Sequence, residues 1–291
     1  MSSKQVDPRV KALMAFHHAD GDPADLISRL CLDLLDDAGE EVPVDLEVLA
    51  SFRNAHVEYA DQEQPETIHW DGRNFRIRVR SSDGLGRQRF SCAHAIVHTW
   101  FFESSGHDQD ESSTKQCWSE AEEDLCDFGA SALLLPEDAF RAACPVDVTI
   151  DDILQLAETF QASTEATTLR AVTLSETPLT MAVLEMSLKP TERRALAFWR
   201  SRPGLQGKDE TAIAPRLRVV KSFGWGMPFV PRHKSVGDRT QLASVLEHGG
   251  VDYIGEIGIV AGTYRVSARN LPFRRDGERI DRVVVLIAPY A

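Results

Sequence analysis

The sequence predicts an α+β chain in two parts, helices with a few short strands up to about residue 177 and a mixed α/β, strand-rich region beyond Pro178. Three observations predict it. Apolar residues recur at helical spacing over 23–37 and 90–102, the period shortens to two over 56–82, and a further series of two-period runs follows residue 178. The charge divides at the same place: residues 1–180 hold 14 Lys+Arg against 34 Asp+Glu and residues 181–291 hold 18 against 11, within a net charge of −13. Asymmetry of that kind points to two domains with different partners.

With 291 residues the chain has room for two domains. No run approaches the roughly 20 apolar residues that span a bilayer, and the first residues, Met-Ser-Ser-Lys-Gln-Val-Asp, lack an apolar signal region. The five cysteines (Cys31, Cys92, Cys117, Cys126, Cys144) are odd in number and scattered, which argues against a disulfide framework. The expected compartment is a reducing cytoplasm.

Residues 1–22 are polar and predict a flexible lead. Leu26, Ile27, Leu30, Leu34 and Leu35 then mark a helix over 23–37, and Leu46, Val48, Leu49 and Phe52 a second, shorter one after Pro43. Three strands follow at 56–59, 67–70 and 75–80, with Asp71-Gly72 as a hairpin turn. Arg76, Arg78 and Arg80 alternate along the third, as on a sheet edge that takes up an extended peptide or on a solvated face guarded by charge.

The run 90–102 is a helix carrying His94 and His98. Residues four apart share a helix face and can grip one metal ion. Nine histidines in 291 positions give roughly 0.3 such pairs by chance, so the pair gains weight only from a second segment. That segment is a helix over 122–135, whose first turns offer carboxylates to complete a His, His, Glu set. If Glu123 is the third ligand, Asp127 lies one turn on and accepts the free imidazole N–H of His94, while Glu122 and Asp124 point elsewhere as solvated charges. An active zinc peptidase would have Glu where Ala95 stands, to take the proton of the attacking water. Between the helices an acidic loop over 103–120 contains Cys117, whose thiolate is expected either as an inhibitory fourth ligand or as an ordinary loop thiol.

From 149 to 173 two helices broken at Gln161-Ala162-Ser163-Thr164 form a helix-turn-helix-like segment. Its second helix offers Arg170 and little else to base edges, so packing, not DNA reading, is expected. Strands are then expected at 179–184, 217–220, 253–260, 264–268 and 282–287, with one helix near 240–247. Arg193, Arg194, Arg232, Lys234, Arg274 and Arg275 accompany Trp199, Phe223, Trp225, Phe229 and Phe273, a combination that holds single-stranded nucleic acid by phosphate contact and base stacking. On the opposing reading the aromatics are core and the cations solvated.

The run Arg87-Gln88-Arg89-Phe90-Ser91-Cys92-Ala93-His94-Ala95-Ile96-Val97-His98, followed by Glu123-x-x-Cys126-Asp127-x-x-Ala130-x-x-Leu133-Leu134-x-Pro136, resembles the ImmA/IrrE family of zinc metallopeptidases. Their pattern is RxRFTxAHExxH, then ExxAN or ExxAD, then FAAxLLMP. The resemblance implies a zincin-like domain over 23–145, the helix-turn-helix-like segment over 146–177 and a GAF-like sensor domain over 178–291. It implies Zn2+ held by His94, His98 and Glu123, with position 95 the place of the general-base Glu. The implied substrate is a helix-turn-helix repressor whose cleavage derepresses a stress or anti-phage defence operon; the cations and aromatics of the second half make single-stranded DNA the candidate activator. Ala95 departs from the pattern and predicts a chain that binds substrate without cutting it. The intact ligand set favours a deliberate Glu-to-Ala replacement over natural loss. From a different class stands a non-catalytic, nucleic-acid-responsive adaptor that binds a transcription regulator.

Overall fold

The structure, a computed structural model of the full chain, describes residues 7–39, 41–105, 118–201, 213–275 and 278–290. Two compact units are formed, one of Met1–Ala143 with Gln155–Thr167 and one of Cys144–Leu154 with Thr168–Ala291.

The first unit begins with α1 (Pro8–Phe16). Asp7 caps it, accepting from the backbone N–H of Arg9 and Val10 at 2.8 and 3.2 Å, and Pro8 occupies a first-turn position where a missing N–H costs nothing. The expectation of a flexible lead is therefore corrected over 8–16. Val10 and Leu13, three apart on one face, are buried, so even a short apolar stripe suffices once a larger helix is there to receive it.

Two further helices, α2 (Pro23–Ala38) and α3 (Leu46–Phe52), start at Asp22 and Asp45 caps, close to where the apolar spacing places them. The strands β1 (Ala55–Ala60), β2 (Glu66–Trp70) and β3 (Phe75–Arg80) form a sheet of order β1-β3-β2, with β1 parallel and β2 antiparallel to β3. The arginine strand is thus central, and the edge reading of it is corrected. Arg76 and Arg78 face Glu58 on β1 at 3.7 and 3.1 Å, and Arg80 pairs with Asp83 at 3.0 Å. The edge on the other side is β2.

The helix α4 (Leu85–Ser104) runs through the middle of this unit, with every residue from Ser91 to Phe102 buried. A helix buried on all sides needs neighbours all round, and α1, α3, the sheet and α5 (Glu120–Leu134) supply them. Gly129 sets the approach of α5. A Cβ there would stand 2.8 Å from a Val97 methyl and 2.9 Å from an Ile27 methyl, so only glycine lets α5 lie this close to α4 and α2. A short helix the sequence analysis did not expect, α6 (Glu137–Ala143), follows Pro136.

The segment 146–177 forms α7 (Ile150–Thr159) and α8 (Thr164–Leu174), the two helices expected, but it is not a unit of its own. The start of α7 joins the second unit, where the Ile150 N–H donates to Ser267 Oγ at 2.9 Å. Phe160 instead packs on Phe140 in the first unit, with ring centroids 5.5 Å apart. In α8, Thr167, Thr168, Arg170, Ala171 and Val172 are buried, which removes its one cation from any base edge.

The second unit contains β4 (Leu179–Ser187), α9 (Pro190–Arg200), β5 (Arg216–Trp225), α10 (Gln241–His248), β6 (Gly250–Gly255), β7 (Tyr264–Asn270), the hairpin β8 (Phe273–Arg275) and β9 (Glu278–Ile280), and β10 (Arg282–Pro289). Five of these strands form an antiparallel sheet of order β5-β4-β10-β7-β6. Leu184, Val219, Val266, Val283 and Val285 belong to its core, as alternation along the strands dictates, and Val245 of α10 packs with them. The expectation of one helix in this region is corrected by α9. Glu192 starts it, accepting from the Lys189 N–H at 2.7 Å, and also pairs at 3.1 Å with Arg218, which is 2% exposed. No helix among the described residues is long and apolar enough to cross a membrane.

Candidate metal centre

Two consecutive turns of α4 present His94 and His98 on one side, their ring centroids 4.7 Å apart. The close crossing at Gly129 brings the first turns of α5 opposite them. Glu123 Oε2 lies 3.5 Å from His94 Nε2, and Glu123 Oε1 lies 3.6 Å from His98 Nε2. One ligand atom from each of the three residues falls within 4.8 Å of the other two. The histidines are buried, at 5% and 1% side-chain exposure, whereas Glu123 is 40% exposed, so the cluster opens to solvent on its carboxylate side.

The far nitrogens of both rings face other carboxylates. His98 Nδ1 pairs at 3.0 Å with Oε1 of Glu122, which is wholly buried, and Glu66 Oε1 on β2 lies 3.1 Å from His94 Nδ1. Asp127, expected to take the free N–H of His94, is placed otherwise. Its Oδ1 stands 3.5 Å from His94 Nε2, on the same side as Glu123, and its side chain is 62% exposed. The expectation that Glu122 is a solvated charge is likewise corrected: positions 122, 126, 130 and 133 form the buried stripe of α5, and Glu122 lies on it.

Burial opposes a charged His98 ring, but the hydrogen bond to Glu122 and the adjacent Glu123 carboxylate overcome that and raise its pKa. The adjacent His98 ring lowers the Glu123 carboxyl. Burial raises Asp127, helped by the Glu123 and Asp124 charges. So much negative charge converging on two imidazoles suits a cation. The decisive fit is His98 Nε2, a buried nitrogen with no hydrogen-bond partner. In the tautomer that donates Nδ1–H to Glu122, the Nε2 lone pair faces the Glu123 side, as a metal-binding imidazole requires. The donor set of two imidazoles and a carboxylate suits Zn2+.

Ala95 is fully buried and offers neither a proton acceptor nor any polar atom. Cys117 lies outside the described residues. Burial pushes the Cys92 thiol up to about 12 and raises Cys126 as well, so both are inert core residues. In the second unit, Arg193 and Arg194 are exposed on α9, and Arg232 and Lys234 are exposed on the segment after β5. The Arg274 and Arg275 side chains lie outside what the structure describes. Sequence reasoning missed Glu66, which no local pattern marks, and Glu122, which helical periodicity along α5 marks.

Residues 49–171 match the Peptidase_M78 family, described as an IrrE N-terminal-like domain. No curated protein matches the chain in sequence. A solved Mycobacterium tuberculosis transcriptional regulator is similar in fold, with a TM-score of 0.56 at 15% identity, over 97% of this chain and 81% of that one.

Proposed function

We propose, from the match of residues 49–171 to the IrrE N-terminal-like domain of Peptidase_M78, that the chain is a regulatory zinc metallopeptidase of the ImmA/IrrE type, directed at a helix-turn-helix repressor and silenced by Ala95. The observation that carries this reading is the meeting of His94, His98 and Glu123 with the His98 Nε2 lone pair unclaimed. These three side chains would hold Zn2+, which when bound supplies a Lewis acid that polarises a peptide carbonyl.

The chain's own residues do the rest. Glu122 orients the His98 imidazole from behind, and Glu66 faces His94 Nδ1. The outer position of β2, which carries Glu66, in the sheet order suits an extended substrate segment laid alongside it. At position 95 the buried methyl cannot accept the proton that the attacking water must lose. Absence of a positioned base typically costs about 10²–10⁴ in rate, so substrate is bound and cut slowly or not at all. Cleavage of the repressor in the Glu-bearing form would release transcription of a stress or anti-phage defence operon in the cytoplasm.

The second unit reads as a GAF-like sensor, supported by its antiparallel sheet with the first and last long strands, β4 and β10, paired at the centre. Its candidate activator is single-stranded DNA. In support, Phe223, Trp225 and Phe229 are 44%, 43% and 80% exposed. The segment after β5, which carries exposed Arg232 and Lys234, folds back along it, with the Ser222 hydroxyl donating to Val230 O and the His233 N–H to Val219 O.

The test is Ala95→Glu in the full chain, incubated with zinc and the helix-turn-helix repressor of its own operon, with and without single-stranded DNA. Cleavage by the Glu form alone supports the reading. An intact repressor under every condition, with zinc bound, refutes it.

A further inference from the structure

The site's deepest carboxylate depends on a residue that lies far outside the matched domain. Glu122 is wholly buried, yet it faces His98 Nδ1 with Oε1 at 3.0 Å and Arg9 Nε with Oε2 at 3.2 Å. A buried carboxylate needs a compensating cation to hold it against its partner. Arg9 is the guanidinium that reaches it, delivered by the N-terminal helix α1.

Arg9 is held there by more than charge. Its guanidinium lies over the Trp118 ring at 4.8 Å and the Phe102 ring at 5.7 Å, within cation–π range. Trp118 in turn stacks on the His98 imidazole, with centroids 4.3 Å apart and planes at 25°. The Ser119 hydroxyl, which caps α5 by accepting from the Glu122 N–H at 3.1 Å, also hydrogen-bonds the Asp7 carboxylate that caps α1. The first turns of α1 and α5 are thereby fastened to each other at two points, and the Arg9 point reaches His98 through Glu122 and Trp118.

We propose that Arg9 is a positioning residue for the metal centre: by neutralising Glu122 and bracing Trp118, it holds the His98 ring with its Nε2 turned towards Glu123. The inference rests on the reading that His94, His98 and Glu123 hold a metal ion. It goes beyond that reading by making α1 a working part of the site. Outer partners of metal-bound histidines typically change metal affinity by about 10–100-fold when lost, which sets the expected size.

The experiment measures Zn2+ affinity of the full chain by chelator competition and records the visible spectrum of the Co2+-loaded protein. Variants are Arg9→Gln, Arg9→Lys, Glu122→Gln, the Arg9→Gln/Glu122→Gln double and His94→Ala, each checked for fold by circular dichroism. Arg9→Gln is expected to weaken Zn2+ about 10–100-fold and to shift the Co2+ bands. Arg9→Lys, which keeps the charge but loses the flat guanidinium contact with Trp118, should fall between. The double variant should be little worse than Glu122→Gln alone, because the two residues act in series.

A folded Arg9→Gln protein with wild-type affinity and an unshifted spectrum overturns the proposal while leaving the metal reading standing. Should Arg9→Gln not fold, Arg9→Lys decides: weaker binding with an intact fold supports the role, and unchanged binding overturns it. If the unaltered chain binds Zn2+ no better than His94→Ala, the metal reading itself has failed and the proposal goes with it.

Discussion

His98 Nδ1 and Glu122 Oε1 lie 3.0 Å apart with neither side chain reaching solvent. In the tautomer that donates to Glu122, the ring's proton lies at the back and its lone pair faces Glu123.

Metal removal is the first consequence. The full chain should carry one zinc per chain by elemental analysis, and His98→Ala or Glu123→Gln should carry none. A ligand present at 1,000 times its Kd stabilises by about 4 kcal/mol. Stripping zinc with a chelator should therefore lower Tm by several degrees, at about 2–4 °C per kcal/mol for a domain of 150–250 residues. The two variants should show no such change.

Restoring the base is the second. Ala95→Glu should raise cleavage of the partner repressor by about 10²–10⁴, as a positioned proton acceptor does. Single-turnover kinetics read this directly, and Ala95→Gln, of equal length but unable to take the proton, should stay at the background rate.

Gly129 allows a prediction about geometry. An added side chain would meet Val97 and Ile27 below 3 Å, so Gly129→Val must push α5 off α4. Overpacking of this kind costs about 1–3 kcal/mol in urea unfolding. Because the same displacement carries Glu123 away from the two histidines, metal affinity should fall even where the fold survives. Affinity unchanged in a folded Gly129→Val protein would contradict the role given to this crossing.

The exposed aromatics of the second unit can be tested by titration. Phe229→Ala should weaken single-stranded DNA by about 1–3 kcal/mol if a base stacks on that ring, without changing the melting curve. Binding should also weaken steeply as salt rises, because phosphate contacts release counterions.

A pH effect follows from Arg269, which pairs with Asp151 and with Asp252 (2.6 Å). Burial works to raise the Asp252 carboxyl, but the Arg269 and Ser267 hydrogen bonds and the Arg269 charge outweigh it and lower the pKa. A depressed carboxylate contributes stability above its unfolded pKa of about 3.9 and loses it as pH falls through the lower folded value. Both partners are partly exposed, so Arg269→Gln should cost only about 1 kcal/mol at pH 7. The gap between wild type and variant in urea melts should close as pH drops from about 4 towards 2.

The sequence by itself determined the helix carrying His94 and His98, the helix carrying Glu123, the three short strands and the strand-rich second half, because period and spacing are local properties of the chain. It also showed alanine at position 95, where the motif of the family it resembles has Glu. Only the tertiary structure decided which carboxylates stand behind the imidazoles. Glu66 comes from a strand edge that no local pattern marks, and Arg9 comes from a helix with only two buried residues, too few to stand out in a polar lead. The central position of β3 was likewise a matter of strand order, which alternation within a strand does not encode. The physical reason is the same in each case: charges that converge on a buried point come from separate elements, and only packing determines which of them meet.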